Sequence, residues 1–324
     1  MKWEVRTMRS GTSYFDFTVF KKTVARFWPL WAGYFVIWLI ALPLQGVMYL
    51  RLQAGARPGL NDGYMGTFAY HTVPDMAGPA LGLSVIFGVL AAMAVFSHLY
   101  NARSANLYGS LPIRREGLFV THYLAGLAFL IVPNLAIFLL VLLIEAIGGA
   151  VSLPGLGFWL AAACGECLFF YSLAVFCGMF TGHILALPAF YGILNILAYG
   201  VTGLVYTVFQ NFYYGFSGFG GGVSRVVNWL TPINKLGGYD TVDFWVTEDG
   251  YQMFGLNIVA AYAGVAVLLA AASFLLYRAR RLESAGDVVS VRCMRPVFKY
   301  GVAFCAGMAS AWPPRSCWAA GRSP

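Results

Sequence analysis

Six apolar stretches, each about twenty residues or longer, follow one another along this chain, and each is long enough to cross a bilayer's hydrocarbon core as a helix. They run over residues 28–50, 76–100, 118–147, 157–180, 184–209 and 255–277, and a seventh run starts near Val297 and breaks near Ala311. Backbone polar groups in lipid must bond within their own segment, so runs of this kind fold as helices. Hydrophobic residues make up 60% of the chain and charged residues 10%, with a mean hydropathy of +0.70. The expected fold is an all-α polytopic membrane protein of six to seven spans. The longest stretch between spans, about 211–253, is too short and too apolar for a separate soluble domain.

Positive charge is distributed unevenly. With the N-terminus inside, fifteen of the 21 Lys and Arg residues fall on inner segments, four on outer loops and two in the tail. That bias predicts a cytoplasmic N-terminus. The net charge of +8 sits at helix ends, where it sets topology and meets anionic lipid rather than nucleic acid. The first apolar run follows six basic residues and is too long for the core of a cleaved signal, so it reads as an anchor that stays.

Before that run, Phe17, Phe20, Val24 and Phe27 recur at helical spacing, with Lys22 and Arg26 on another face. This predicts an amphipathic helix lying in the cytoplasmic interface, within a cytoplasmic segment 1–27, with Ser13 and Asp16 as its start signal. The six-span domain occupies 28–277, with a cytoplasmic loop 101–117 and an outer loop 210–254. Within the first loop, a short helix capped by Ser110 and broken by Pro112 is expected. The outer loop contains the aromatic, Gly-rich stretch from Phe212 to Gly222, which cannot form a regular helix. It is expected to re-enter the leaflet or to lie at headgroup level, with one short turn over 226–230. A basic linker spans 278–299, and 300–324 reads as a partial seventh helix ending in an aberrant, out-of-frame or truncated tail.

Chemistry-bearing motifs are sparse. The chain lacks G-x-x-x-x-G-K-[ST], H-E-x-x-H and G-x-S-x-G, so neither a phosphate-binding loop nor a hydrolytic centre is indicated. No catalytic, metal or cofactor-binding residue is assigned. Six cysteines give no disulfide framework. Cys164-Gly-Glu-Cys167 has a redox or metal spacing, but within a membrane helix it reads as small packing residues. His98 and His122 lie near the inner ends of neighbouring helices and are expected to be interfacial or helix-bonding; His71 and His183 stand alone. Carboxylates are costly in lipid and mark bundle interiors or aqueous paths. Glu145 is near enough to a helix end to reach the interface, whereas Glu166 lies at mid-membrane depth. Glu166 and Asn195 are therefore the candidate pathway residues. Asn134, Pro133 and Pro188 are placed mid-helix, as cross-helix bonding and kink residues.

The loop wording Asn106-Leu-Tyr-Gly-Ser-Leu-Pro-Ile-Arg-Arg-Glu116, the interfacial helix before the first span, and the basic exit Tyr277-Arg-Ala-Arg-Arg-Leu-Glu-Ser-Ala-Gly286 followed by Arg295-Pro-Val-Phe-Lys-Tyr300 resemble the permease subunits of type-2 ABC exporters of Gram-positive bacteria. The likeness covers residues 10–305. It implies a multi-pass subunit of the bacterial cytoplasmic membrane that is not itself an enzyme. It would pair with a second permease copy or homologue and with separate ATP-binding cassette subunits, which would hold the ATP. Leu107, Leu111, Pro112, Ile113, Arg114 and Arg115 would then form the coupling loop. Two other readings stand beside it. One is a membrane-embedded enzyme acting on lipid. The other is a peptide sensor or immunity scaffold using the acidic Asp240, Asp243, Glu248 and Asp249.

Overall fold

The computed structural model describes residues 15–55, 63–101, 114–238, 241–247 and 250–279, together with 303 and 307. The chain is an all-α polytopic membrane protein with six helices long and apolar enough to cross a bilayer. The spans are Trp28–Gly55, Ala77–Val95, Arg115–Gly148, Leu153–Phe180, Ala186–Phe212 and Leu256–Ala279. The seventh run, the basic linker after Ala279 and the tail lie outside the described residues, apart from single positions at 303 and 307.

The chain divides into two compact units, Met1–Tyr191 with Leu236–Ser290, and Gly192–Lys235 with Val291–Pro324. In the first unit α1 (Phe17–Arg26) leads directly into α2 (Trp28–Ala41), with Phe27 closing one helix and opening the next. The cap of α1 is Asp16 rather than Ser13, which lies outside the described residues. Its carboxylate accepts from the backbone N–H groups of Thr18 and Val19 at 2.8 and 3.0 Å, satisfying donors that a helix start leaves open. The face of α1 pressed on the bundle centres on Thr23, one position from the predicted Val24. Phe17 is 68% exposed and Phe20, Val24 and Phe27 half-buried, which leaves Phe17 free for lipid.

The first span bends where α2 gives way to α3 (Pro43–Gly55), because Pro43 has no N–H to continue the ladder. A short helix, α4 (Tyr64–Thr67), a π-turn (Phe68–Thr72) and a single turn, α5 (Val73–Asp75), bring the chain to the second span, α6 (Ala77–Val95). A 3₁₀ turn, Ser97–Leu99, ends it. The third span, α7 (Arg115–Gly148), has 34 residues; at 1.5 Å per residue it is about 51 Å long, well beyond a hydrocarbon core of about 30 Å. Exposed Val132, Leu135, Leu139 and Leu143 form its lipid-facing stripe.

The most deeply buried span is α8 (Leu153–Phe180), held between α6, α7 and the last span. The turn before it is closed by Glu145, whose side chain is fully buried. Gly149 adopts φ +78°, a left-handed cap that glycine takes without a Cβ penalty. Glu145 Oε2 then accepts from Ser152 N–H at 3.0 Å, and Ser152 Oγ accepts from Gly155 N–H at 3.3 Å to cap α8. Glu145→Ala is expected to lower stability by about 2 kcal/mol, since it strands the buried Ser152 N–H, whereas Glu145→Gln keeps an acceptor and changes little. Thermal melts of the two purified variants check this; equal melting points would remove Glu145 from the turn's energetics.

The fifth span, α9 (Ala186–Phe212), starts in the first unit and continues in the second. Pro188 lies in its first turn, where a missing N–H costs nothing, and not mid-helix as expected from the sequence. In the second unit the Gly-rich stretch folds back on the end of α9. Phe216 packs on Phe209 and Tyr206 at ring distances of 5.5 and 5.8 Å, and Phe219 on Phe216 at 5.4 Å. A ten-residue helix follows, α10 (Gly221–Leu230), twice the turn expected. A last short helix is α11 (Pro232–Leu236).

Before the sixth span, α12 (Leu256–Ala279), the first unit carries an antiparallel hairpin that the sequence reading missed, β1 (Asp243–Thr247) with β2 (Gly250–Phe254). Strand alternation puts Phe244, Val246, Tyr251 and Met253 on one face. Phe244 enters a small core with Ala77, Phe158 and Ala162. Gly255 turns the chain out of the hairpin with φ +82°, and a Cβ there would collide with the Thr241 carbonyl.

Candidate functional site

Two regions of the first unit gather polar side chains. One lies inside the bundle, where α2, α6, α7 and α8 meet. Tyr34, Ser84, Asn134 and Cys167 are each at most 1% exposed. The Tyr34 hydroxyl donates to Asn134 Oδ1 at 3.0 Å and lies 3.4 Å from Cys167 Sγ. Ser84 Oγ lies 3.2 Å from the same sulfur. The Asn134 amide nitrogen reaches both Cys164 Sγ and Cys167 Sγ at 3.9 Å. Asn134 therefore does bond across helices, beside the Pro133 that frees a backbone acceptor one turn earlier.

Glu166 is 1% exposed and halfway along α8. Its direction follows from its neighbours. Gly165 and Phe169 meet Val259 and Tyr262 of α12, while Cys167 and Phe170 meet Ser84 and Gly88 of α6. By helical position Glu166 falls between these two faces, on the arc of Trp159, which packs on Trp38 of α2 at 5.0 Å. Among the described residues its Oε2 has no hydrogen-bond partner, and neither has Nε1 of Trp159, two turns earlier on the same arc. Asn195, the other candidate pathway residue, is buried on α9 within the second unit.

The second region is the end of the bundle from which residues 101 and 114 emerge. Leu107, Leu111, Pro112 and Ile113 lie outside the described residues, as does Ser110. Arg114 and Arg115 are exposed at the start of α7. Behind them Gly117, Leu118 and Phe119 are buried. Phe119 packs on Phe274 and Tyr277 of α12 at 5.7 and 5.3 Å, and Glu116 pairs with Arg278 at 3.4 Å. With the arginine side chain 67% exposed, that pair contributes at most about 1 kcal/mol. The backbone N–H of Asp16 donates to Thr121 Oγ1 at 3.1 Å, tying α1 to the same turn. His98 and His122 do approach, with ring centroids 4.6 Å apart. Each Nδ1 faces a backbone carbonyl, of Val95 at 3.2 Å and of Leu118 at 2.8 Å, so each Nδ1 carries the hydrogen. Among the described residues no group of three His, Cys, Asp or Glu side chains is placed to hold a metal ion.

At the opposite end the hairpin lies over the helix termini. Tyr251 stacks on Tyr70 at 6.0 Å and on Phe244 at 5.8 Å. The hydrogen bond with Tyr251 pushes the Tyr70 phenol up from its ordinary range, with burial adding to the effect. Partial burial and the Asp243 carboxylate push Asp75 up, and His71 offsets part of the rise. Asp243 itself accepts from Trp245 Nε1 at 2.7 Å. Asp240, Glu248 and Asp249 lie outside the described residues. Comparison with family models, with curated proteins and with solved structures found no match to this chain.

Proposed function

We propose that the protein is the permease subunit of a type-2 ABC exporter in a bacterial cytoplasmic membrane, with its N-terminus in the cytoplasm. It works beside a second permease and with ATPase subunits that hold the ATP. The observation that supports this reading best is the anchoring of both ends of the 101–114 segment. One end leaves the 3₁₀ turn under the His98–His122 contact, and the other enters α7 where α1 and α12 converge. A loop whose stems are packed on three helices transmits a push from a docked partner to the bundle. Its apolar Leu107, Leu111 and Ile113 are suited to a groove, and exposed Arg114 and Arg115 to steering an acidic rim.

Mass spectrometry of the complex purified in mild detergent is expected to find an ATPase carrying G-x-x-x-x-G-K-[ST] in stoichiometric amount. Leu111→Asp should leave the six-helix bundle folded while removing substrate-stimulated ATP hydrolysis. If Leu111→Asp supports normal stimulation in reconstituted vesicles, this loop is not the coupling element; if no ATPase accompanies the intact chain, the permease reading fails.

A further inference from the structure

We propose that Cys164 and Cys167 form a two-coordinate site for a soft monovalent d¹⁰ cation, Cu⁺ or Ag⁺, within the bundle. Residues three apart on a helix share a face with Cβ atoms about 5–6 Å apart, a spacing from which two sulfurs can close on one ion. The two sulfurs flank a single amide, Asn134 Nδ2, at 3.9 Å each. That arrangement is poorly used by neutral thiols, because a thiol sulfur is a weak acceptor and an amide N–H a strong donor. It is well used by metal-bound thiolates, whose negative sulfurs are held by outer N–H and O–H donors. Ser84 Oγ, 3.2 Å from Cys167 Sγ, can supply one more donor, while the Tyr34 hydroxyl, 3.4 Å away, spends its hydrogen on Asn134 Oδ1. Cys164 is half-buried and Cys167 fully buried, so an ion meets the outer sulfur first.

The site's poverty in other ligands selects the ion. Zn²⁺ takes four ligands, but among the described residues no third His, Cys, Asp or Glu completes a group. Thiolate pairs select soft Cu⁺. Binding breaks two S–H bonds, forms two S–metal bonds and releases two protons for each ion taken up; no electron is transferred. The site passes from neutral to a single negative charge, which the Asn134 amide and the Ser84 hydroxyl face.

The test uses the full chain in detergent, with the other four cysteines removed as C177S, C293S, C305S and C317S. Silver nitrate is titrated in chloride-free buffer, bound silver is measured after gel filtration, and proton release is followed in weak buffer. The expected result is one Ag⁺ bound and two protons released per chain, both lost in Cys164→Ser and in Cys167→Ser. Silver uptake unchanged in the two variants, or absent from the parent, overturns the site. To separate loss of the site from misfolding of a serine variant, unsubstituted protein is also alkylated with N-ethylmaleimide and mapped by mass spectrometry. One equivalent of Ag⁺ should slow alkylation of Cys164 about tenfold or more, since only the free thiolate reacts. An unaltered rate at Cys164 overturns the proposal by itself.

Discussion

Gly88→Val is expected to drive α6 from α8 and to cost the protein about 3 kcal/mol or more, the upper range for forcing bulk into a packed interior. A Cβ at Gly88 would stand 3.1 Å from the carbonyl carbon of Phe170 and 3.1 Å from the backbone nitrogen of Tyr171. Those are backbone atoms of the most buried helix, so no rotamer change relieves the clash. Helices in lipid associate through close backbone approach at small residues, because lipid tails are as apolar as leucine and supply no hydrophobic drive. Separating the pair also lengthens the Ser84–Cys167 contact, one turn away on the same face. Gly82→Val on the same helix is the control: nothing lies within 4 Å of a Cβ there, and it faces outward. Thermal unfolding and the monodisperse fraction in gel filtration decide it. A Gly88→Val protein that melts with its Gly82→Val counterpart would show that α6 and α8 do not depend on this approach.

Asn134→Leu is expected to lower stability by about 2 kcal/mol, more than the roughly 0.6 kcal/mol average for a single hydrogen bond between membrane helices. The larger figure follows from the number of partners stranded. Leucine keeps asparagine's branched side-chain skeleton and is the bulkier of the two, so no cavity forms. It leaves the Tyr34 hydroxyl, at 0% exposure, without the acceptor now 3.0 Å away, and an unmet buried hydroxyl costs about 1–3 kcal/mol. The same replacement removes the amide shared by Cys164 and Cys167. Tyr34→Phe in the Asn134→Leu background should recover part of the loss, because it deletes the stranded donor. A double-mutant cycle on melting free energies measures that coupling. Strict additivity of the two changes would mean that Tyr34 and Asn134 do not depend on one another.

The spans were legible because their signal is length and apolarity, which the bilayer imposes on each segment separately. The predicted 118–147, 157–180 and 255–277 became Arg115–Gly148, Leu153–Phe180 and Leu256–Ala279. The shifts lie at the ends, where caps such as Ser152 and the turn around Gly149 extend a helix into polar surroundings. The hairpin was missed although its signals were present: Phe244-Trp-Val-Thr and Tyr251-Gln-Met-Phe are rich in aromatic and β-branched residues and flank Glu248-Asp249-Gly250. The burial of Glu145 was not legible, because distance along a helix does not reveal that a following turn folds back over the carboxylate. The Cys164–Cys167 spacing by itself reads as packing; the amide of Asn134, thirty residues from Cys164, comes to lie between the two sulfurs only in the folded bundle.

Local chemistry alone determined that this chain carries six membrane-spanning segments, and that a helix precedes them. Those properties follow from the solvent each segment must satisfy, and each segment satisfies it on its own. Tertiary structure decided which side of α8 each residue faces. It thereby joined Asn134 to two sulfurs, set Glu166 between α6 and α12, and closed Glu145 into a turn. Pairings of this kind depend on the relative rotation and closeness of helices distant in sequence, and side-chain size at points such as Gly88 sets that geometry only once the helices are packed together.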